Sequence, residues 1–150
     1  MIVLAVGLAV FFVLLPRLFR ARPRTGTLVR ALGSLAAVGA VGVVLLPSDR
    51  FGAMHGVAVV SAGIPGLAAS LVSLHAVVRE RTSARAVILF GALALGVATL
   101  DFALYVSELL SGGASQLAVS VLERIATALL LAWMLAVAHE VYGAAPERTG

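Results

Sequence analysis

Five apolar segments with short connections between them fill most of this 150-residue chain. A bilayer core about 30 Å thick requires roughly 20 apolar residues in a helix. The segments cover about residues 1–15, 27–46, 52–78, 84–110 and 115–142. Short connections place consecutive helices side by side and antiparallel. The sequence therefore predicts an all-α polytopic membrane helix bundle with about five transmembrane helices, in a single membrane domain, 1–150, with a tail at 143–150.

The composition excludes several other classes of protein. The chain is 61% hydrophobic and 12% charged, whereas a soluble domain is about 45–50% apolar and about 25% charged. A soluble globular enzyme, a disordered chain and a nucleic-acid-binding module are therefore excluded. The chain contains no cysteine, which excludes disulfides, thiolate zinc sites and iron–sulfur clusters. All eleven basic residues are arginine, so a retinal Schiff base, which needs a lysine amine, is excluded too.

The arginines predict how the bundle is oriented. Those in the first and third connections and in the tail are Arg17, Arg20, Arg22, Arg24, Arg79, Arg81, Arg85 and Arg148. In the other connections there is only Arg50. Because positive charge near helix ends stays cytoplasmic, we expect the N-terminus outside, the C-terminus in the cytoplasm, and a multi-pass protein of the prokaryotic inner membrane. An anionic-lipid site on the inner leaflet is a second interpretation of the same residues.

The first segment has two interpretations. A secretory signal peptide carries its positive charge before its apolar run. Here the order is reversed, since Arg17 and the arginines after it follow the run. This order favours a short membrane helix over a signal peptide.

Small residues recur at helical spacing in three of the segments. Such residues let membrane helices approach closely. The stripes are Gly33, Ala37 and Ala40, with Gly39 and Gly42 nearby, in the second segment; Ala58, Ala62, Gly66 and Ser70 in the third; and Ala92, Gly96, Thr99 and Ala103 in the fourth. We expect each stripe to pack against a neighbouring helix. Pro65, in the middle of the third segment, predicts a bend there because it cannot donate a backbone hydrogen bond.

Ionisable residues inside the spans predict a polar cluster. Such residues are costly in a membrane and usually face the bundle interior or a cavity. At about 100° per residue, one face of the fourth segment carries three of them, and the fifth carries two more at matching depth. The predicted outward-facing cluster consists of Asp49, His55, Asp101, Tyr105, Glu108, Glu123 and Arg124. We expect Arg124 to be its central cation and Asp101 to be the partner of Arg124.

A smaller polar set lies near the cytoplasmic boundary. It comprises His75, His139 and Glu140, which we interpret as interfacial residues. The sequence has no His-x-x-x-His or Glu-x-x-His pair of the kind that holds zinc or a di-iron centre. No metal site and no cofactor is therefore predicted.

Short motifs resemble a known membrane family. Leu45-Leu46-Pro47-Ser48-Asp49, followed by Met54-His55-Gly56, resembles a signature of the bacterial and archaeal family catalogued as domain of unknown function 998. Glu123-Arg124 matches a Glu-Arg pair that its members carry early in the last helix. The resemblance covers segments two to five and implies an integral membrane helix bundle of about six helices, one more than the five found here. It implies no activity.

Three functions remain open at this point. The first is a structural or partner-binding membrane subunit, whose partners are the lipid bilayer and other membrane subunits. The second is a membrane-embedded enzyme acting on a lipidic or isoprenoid ligand by cyclisation or epoxide opening. A protonated carboxyl of Asp101 or Glu123 would serve as its general acid and His55 as a base. A transporter or channel is disfavoured by the small size of the chain.

Overall fold

The computed structural model describes residues 2–19, 22–80, 85–111 and 116–143. Within these ranges the chain is helical and contains no strand. The elements are α1 (Ile2–Leu14), continued by a 3-10 helix (Leu15–Phe19), α2 (Pro23–Leu45), α3 (Ser48–Phe51), α4 (Ala53–Glu80), α5 (Arg85–Ser111) and α6 (Gln116–Gly143). The predicted loop residues Arg20 and Arg81, the turn at 112–115 and the tail with Arg148 lie outside the described residues.

Four of these helices are long and apolar enough to cross a membrane. The qualifying stretches are Pro23–Leu45, Ala53–Arg79, Arg85–Ser111 and Val121–Gly143, and a shorter apolar stretch covers Ala5–Leu18. Large apolar side chains also cover the outer surface of the bundle, among them Val38 and Leu135, which are 70% and 72% exposed. Soluble proteins rarely expose apolar surface on this scale. The predicted all-helical fold is confirmed, and four of the five predicted transmembrane helices are long and apolar enough to span a membrane, as expected of a multi-pass membrane protein.

Proline and glycine determine where α2 ends and α4 begins. α2 begins at Pro23 rather than at about residue 27, because proline is preorganised for the first position of a helix. α2 ends at Leu45, since Leu46 precedes Pro47 and that position disfavours helical backbone. Gly52 links the short α3 to α4 with a φ of 38°, a left-handed conformation that glycine adopts without strain.

α2 and α4 pack through a seam of small residues. Ala58 lies against Gly42, Ala62 against Gly39, and Gly66 against Ala36, so the two helices run antiparallel. A β-carbon at Gly39 would lie 2.6 Å from the backbone nitrogen of Ala62. The predicted packing of Ala58, Ala62 and Gly66 against another helix is confirmed. α4 is one continuous helix that includes Pro65, whose side chain is buried.

The small residues of α2 pack against two neighbouring helices. Gly33 contacts the side chain of Phe12 in α1, so the expectation that this stripe packs against a neighbouring helix is confirmed at Gly33. α2 packs against α1 and α4 at once, so its small residues are divided between two neighbours. The seam with α4 therefore uses Ala36, Gly39 and Gly42.

The aromatic core lies at the end of the bundle where α2 and α5 begin and where α4 and α6 end. We call this end the arginine-rich end and the other end the acidic end. Trp133 of α6 is 1% exposed and packs against Phe11 of α1, with ring centroids 5.0 Å apart. The same indole ring fills the space beside Gly91 of α5. Because α1, α5 and α6 meet here, the buried side chains described for α5 and α6 all lie in this half.

The predicted small-residue stripe of α5 has no protein neighbour among the described residues. We call its members, Ala92, Gly96, Thr99 and Ala103, the open face of α5; all four are exposed. A β-carbon at Gly96 would meet nothing within 4 Å. The expectation that this stripe packs within the chain is wrong, because α5 uses its other faces to contact α4 and α6.

Candidate functional site

The acidic end of the bundle brings together carboxylates from α5 and α6. Asp101 is partly buried, and Glu123 of α6 lies close enough for the two charges to interact. The antiparallel packing of α5 and α6 explains the pairing, since it places residues at equal depth opposite each other.

Two further polar residues lie nearer the end of α5. The hydroxyl oxygen of Tyr105 would be 3.7 Å from a β-carbon built at Gly56 of α4. A β-carbon at Gly56 would be 3.3 Å from a methyl carbon of Leu109, so α5 approaches the α4 backbone closely at this glycine. Glu108 is near enough to interact electrostatically with Tyr105. The acidic end thus joins α4, α5 and α6 through one face of α5.

Two carboxylate oxygens in this region have no hydrogen-bond partner. Asp101 Oδ1 and Glu108 Oε1 are both buried and accept no hydrogen bond from any described residue. Buried polar atoms are normally paired in folded proteins, and ionisable groups in membrane spans usually face a partner or a cavity. Each oxygen retains the capacity to accept a hydrogen bond from a hydroxyl or an ammonium group, so these two are the unpartnered acceptors described at this end.

His55 connects the end of α2 to the start of α4. Its Nδ1 lies 2.6 Å from the carbonyl oxygen of Leu46. The last carbonyls of a helix have no partner within the helix, so His55 caps α2 when Nδ1–H donates to this oxygen. A neutral imidazole in that tautomer keeps Nε2 as its acceptor. A base role for His55 would therefore fall on Nε2.

Three residues of the predicted cluster are exposed, namely Asp49, Glu123 and Arg124. Arg124 is exposed and makes no ion pair with any residue that the structure describes, so the expected pair with Asp101 is not formed. Neighbouring residues on a helix diverge by about 100°, and it is Glu123 that interacts with α5. Asp49 is exposed on the short α3.

The arginine-rich end has two grooves that the sequence analysis did not identify. The first, which we call the Arg22 groove, has a volume of about 360 Å³ and is lined by Arg22, Thr25, Leu71, Val72, His75 and Ala76. The second, which we call the Glu140 groove, has a volume of about 390 Å³ and is lined by Ala86, Phe90, Ala132, Leu135, Ala136, His139 and Glu140. Each groove depends on the register between two helices, which no local spacing in the sequence reveals.

The polar side chains do not assemble a metal site in the described ranges. No three His, Asp or Glu side chains there are grouped so that they could hold a metal ion. His75 and His139 lie in separate grooves. The carboxylates of the acidic end and the two grooves are therefore the candidate sites.

Comparison with models of known protein families finds no match, and comparisons with curated proteins and with solved structures find none either.

Proposed function

We propose that this chain is a structural or partner-binding subunit of a membrane assembly. The observation that carries the proposal is the open face of α5, where Gly96 has no atom near the position of a β-carbon. Lipid is as apolar as leucine, so membrane helices associate where small residues allow their backbones to approach. The seam between α2 and α4 shows the same principle within this chain. A transmembrane helix of another subunit, or of a second copy, fits the open face.

Replacing Gly96 with leucine tests this proposal. The side chain would extend into open space, so the thermal stability of the isolated chain is expected to stay unchanged. A partner helix would be pushed away by the same side chain. We expect the complex extracted with a mild detergent to be smaller for Gly96→Leu than for the unsubstituted chain, as measured by light scattering after size exclusion.

Val38→Phe is the matched control for this experiment. Val38 is apolar and 70% exposed, but it lies on α2 and not on the open face. The control should leave the complex intact. A complex that survives Gly96→Leu, or the absence of any complex in the unsubstituted chain, contradicts the proposal.

The proposed location is the inner membrane of a prokaryotic cell, with the N-terminus outside and the C-terminus in the cytoplasm. It is supported by Arg22, Arg24, Arg79 and Arg85, which lie at the end where α2 and α5 begin and α4 ends. A reporter that is active only in the cytoplasm is expected to be active when fused after Gly150 and inactive when fused before Met1. Activity of the N-terminal fusion alone would contradict this orientation.

The resemblance to the family called domain of unknown function 998 is part of the same proposal. Most of the residues that carry the resemblance lie where α2, α4 and α5 meet at the acidic end. His55 caps the carbonyl of Leu46, next to Pro47 at the end of α2. Gly56 lies beside Leu109 of α5, whose methyl carbon would be 3.3 Å from a β-carbon at Gly56. A family would keep such residues because they set how α2, α4 and α5 join at the acidic end.

A membrane-embedded enzyme is the second candidate function. The unpartnered oxygens of Asp101 and Glu108 favour it, because they can bind a polar group of a lipidic or isoprenoid substrate. In this hypothesis Asp101 or Glu123 is the general acid. Lipid that co-purifies with the chain and is lost in Asp101→Asn supports the enzyme over the subunit, whereas a stable hetero-complex without such lipid supports the subunit.

A further inference from the structure

The half of α6 at the acidic end is the least covered part of the described bundle. Its main neighbour is α5, and its other contacts are with the 3-10 helix at the arginine-rich end. No side chain of α6 between residues 121 and 132 is buried. The described residues therefore leave one side of this helix open along several turns.

Two charged residues of opposite sign lie on this open side. Glu123 and Arg124 are both exposed, and both belong to the stretch of α6 that is long and apolar enough to cross a membrane. Arg124 follows the start of α6 by eight residues, roughly 12 Å at 1.5 Å per residue. Charged residues in membrane spans usually face another protein segment or a cavity. We therefore expect a charged or polar protein surface to cover this side of α6.

The two charges are not balanced within one chain. Glu123 lies near Asp101, a carboxylate of the same sign. Arg124 makes no ion pair with any residue that the structure describes. Apart from Arg50 on the short α3, it is the one arginine described at the acidic end. The carboxylates thus lack a cation at their own depth, and Arg124 lacks an anion.

A second copy of the chain supplies both missing charges at once. Residues 123 and 124 diverge by about 100° around the helix, so a two-fold axis parallel to α6 can pass between them. Rotation by 180° about that axis places Arg124 of each copy beside Glu123 of the other, at the same depth. A two-fold contact is self-complementary, so the two ion pairs form together.

The same side of α6 also has the spacing of a helix pair. Arg124, Thr127 and Leu131 follow one another at intervals of three and four residues, as in the seam of a left-handed pair of helices. Leu131 is exposed and Thr127 is partly exposed. We call Glu123, Arg124, Thr127 and Leu131 the α6 face. Apolar contact at Leu131 would accompany the ion pairs of the next turn.

We propose that two copies of the chain associate through the α6 face, and that Arg124 of each copy provides the cation for Glu123 and the neighbouring Asp101 of the other. A lipid phosphate would pair with Arg124 but would leave the carboxylate of Glu123 without a cation. An uncharged helix would leave both charges unpaired. The α6 face lies on a different helix from the open face of α5, so this proposal does not rest on that one.

Cysteine crosslinking of the full chain in native membranes tests the contact. The chain contains no cysteine, so one introduced cysteine per chain forms a disulfide between two copies only where their backbones lie within about 7 Å. Leu131→Cys is expected to give mainly crosslinked dimer on oxidation with copper phenanthroline. Val38→Cys, which is exposed on α2, controls for random collision and should remain mainly monomer. Equal yields of dimer from the two variants overturn the proposal.

Charge reversal in the Leu131→Cys chain tests the ion pairs. Glu123→Arg and Arg124→Glu each place like charges at both pairs, so each is expected to weaken the association at least about tenfold. Expressed together, the two variant chains carry opposite charges at both pairs and are expected to regain the crosslink as a heterodimer. Absence of that recovery overturns the role of Arg124. The comparison of Leu131→Cys with Val38→Cys does not depend on how these variants fold.

A cysteine at Gly96 separates this proposal from the one based on the open face of α5. A dimer from Gly96→Cys without one from Leu131→Cys means that copies meet through α5, which overturns the α6 contact and leaves the proposed subunit function standing. Gly96→Leu is expected to leave the yield of the Leu131→Cys dimer unchanged. Loss of that dimer in Gly96→Leu overturns the proposal that the α6 face is a separate contact.

Discussion

Alanine at Gly39 destabilises the bundle by about 1–3 kcal/mol, the usual range for a side chain forced into a filled space. The new β-carbon would lie 2.6 Å from the nitrogen and 2.7 Å from the Cα of Ala62. Both are backbone atoms, so no rotamer change relieves the contact and α2 must move away from α4. Thermal unfolding followed by circular dichroism in a mild detergent measures the loss.

Gly96→Ala is the control, because it makes the same chemical change in the middle of another membrane helix. Nothing lies within 4 Å of the new β-carbon, and alanine has the higher helix propensity. We expect equal or slightly higher stability. Gly42→Ala should fall between the two, since its β-carbon would be 3.4 Å from that of Ala58. If Gly39→Ala is as harmless as Gly96→Ala, the seam between α2 and α4 is not packed as described.

The α4 side of that seam could be predicted from the sequence, and the α2 side could not. In α4, Ala58, Ala62 and Gly66 form one row at four-residue spacing, and the row has one neighbour. In α2, small residues cover more than one face. Which of Gly33 and Gly39 meets α4 depends on where α1 lies, and α1 places Phe12 against Gly33. Local spacing does not contain that long-range information.

The same limit explains the outcome for the polar residues. Counting residues along two antiparallel helices predicts that Asp101 and position 123 or 124 lie at equal depth. It does not determine the rotation of α6 about its axis. The packing of α6 in the whole bundle sets that rotation, and Glu123 rather than Arg124 interacts with Asp101. The depth of a residue in the membrane follows from its position along the helix, whereas the face of the helix that meets a neighbour depends on the packing of the whole bundle.

The spacing of a small-residue stripe also does not show whether another helix of the same chain packs against it. The stripes of α4 and α5 have the same kinds of residue, but α2 covers the first and no described residue covers the second. A covered stripe and an open one look alike in a sequence because both serve close helix approach. The structure therefore distinguishes the covered stripe of α4 from the open face of α5, which the sequence does not.

Truncation of Trp133 to alanine is expected to be the most damaging single change in the described core, with a loss of about 3–5 kcal/mol. The side chain is 1% exposed, packs edge to face on Phe11 at 5.0 Å, and fills the space beside Gly91. Removing it leaves a cavity where α1, α5 and α6 meet. Denaturant unfolding in detergent, followed by circular dichroism, measures the loss.

Trp133→Phe separates the packing of the ring from its polar group. The indole Nε1 is buried with no acceptor among the described residues, and an unpaired buried donor is itself destabilising. Phenylalanine keeps an aromatic ring against Phe11 and removes that donor, so this variant should retain most of the stability lost in Trp133→Ala. Leu135→Ala, on the exposed side of the same helix, should cost much less than either. If Trp133→Phe and Trp133→Ala lose the same unfolding free energy, the indole N–H has an acceptor. If Trp133→Ala and Leu135→Ala lose the same unfolding free energy, the core does not lie at Trp133.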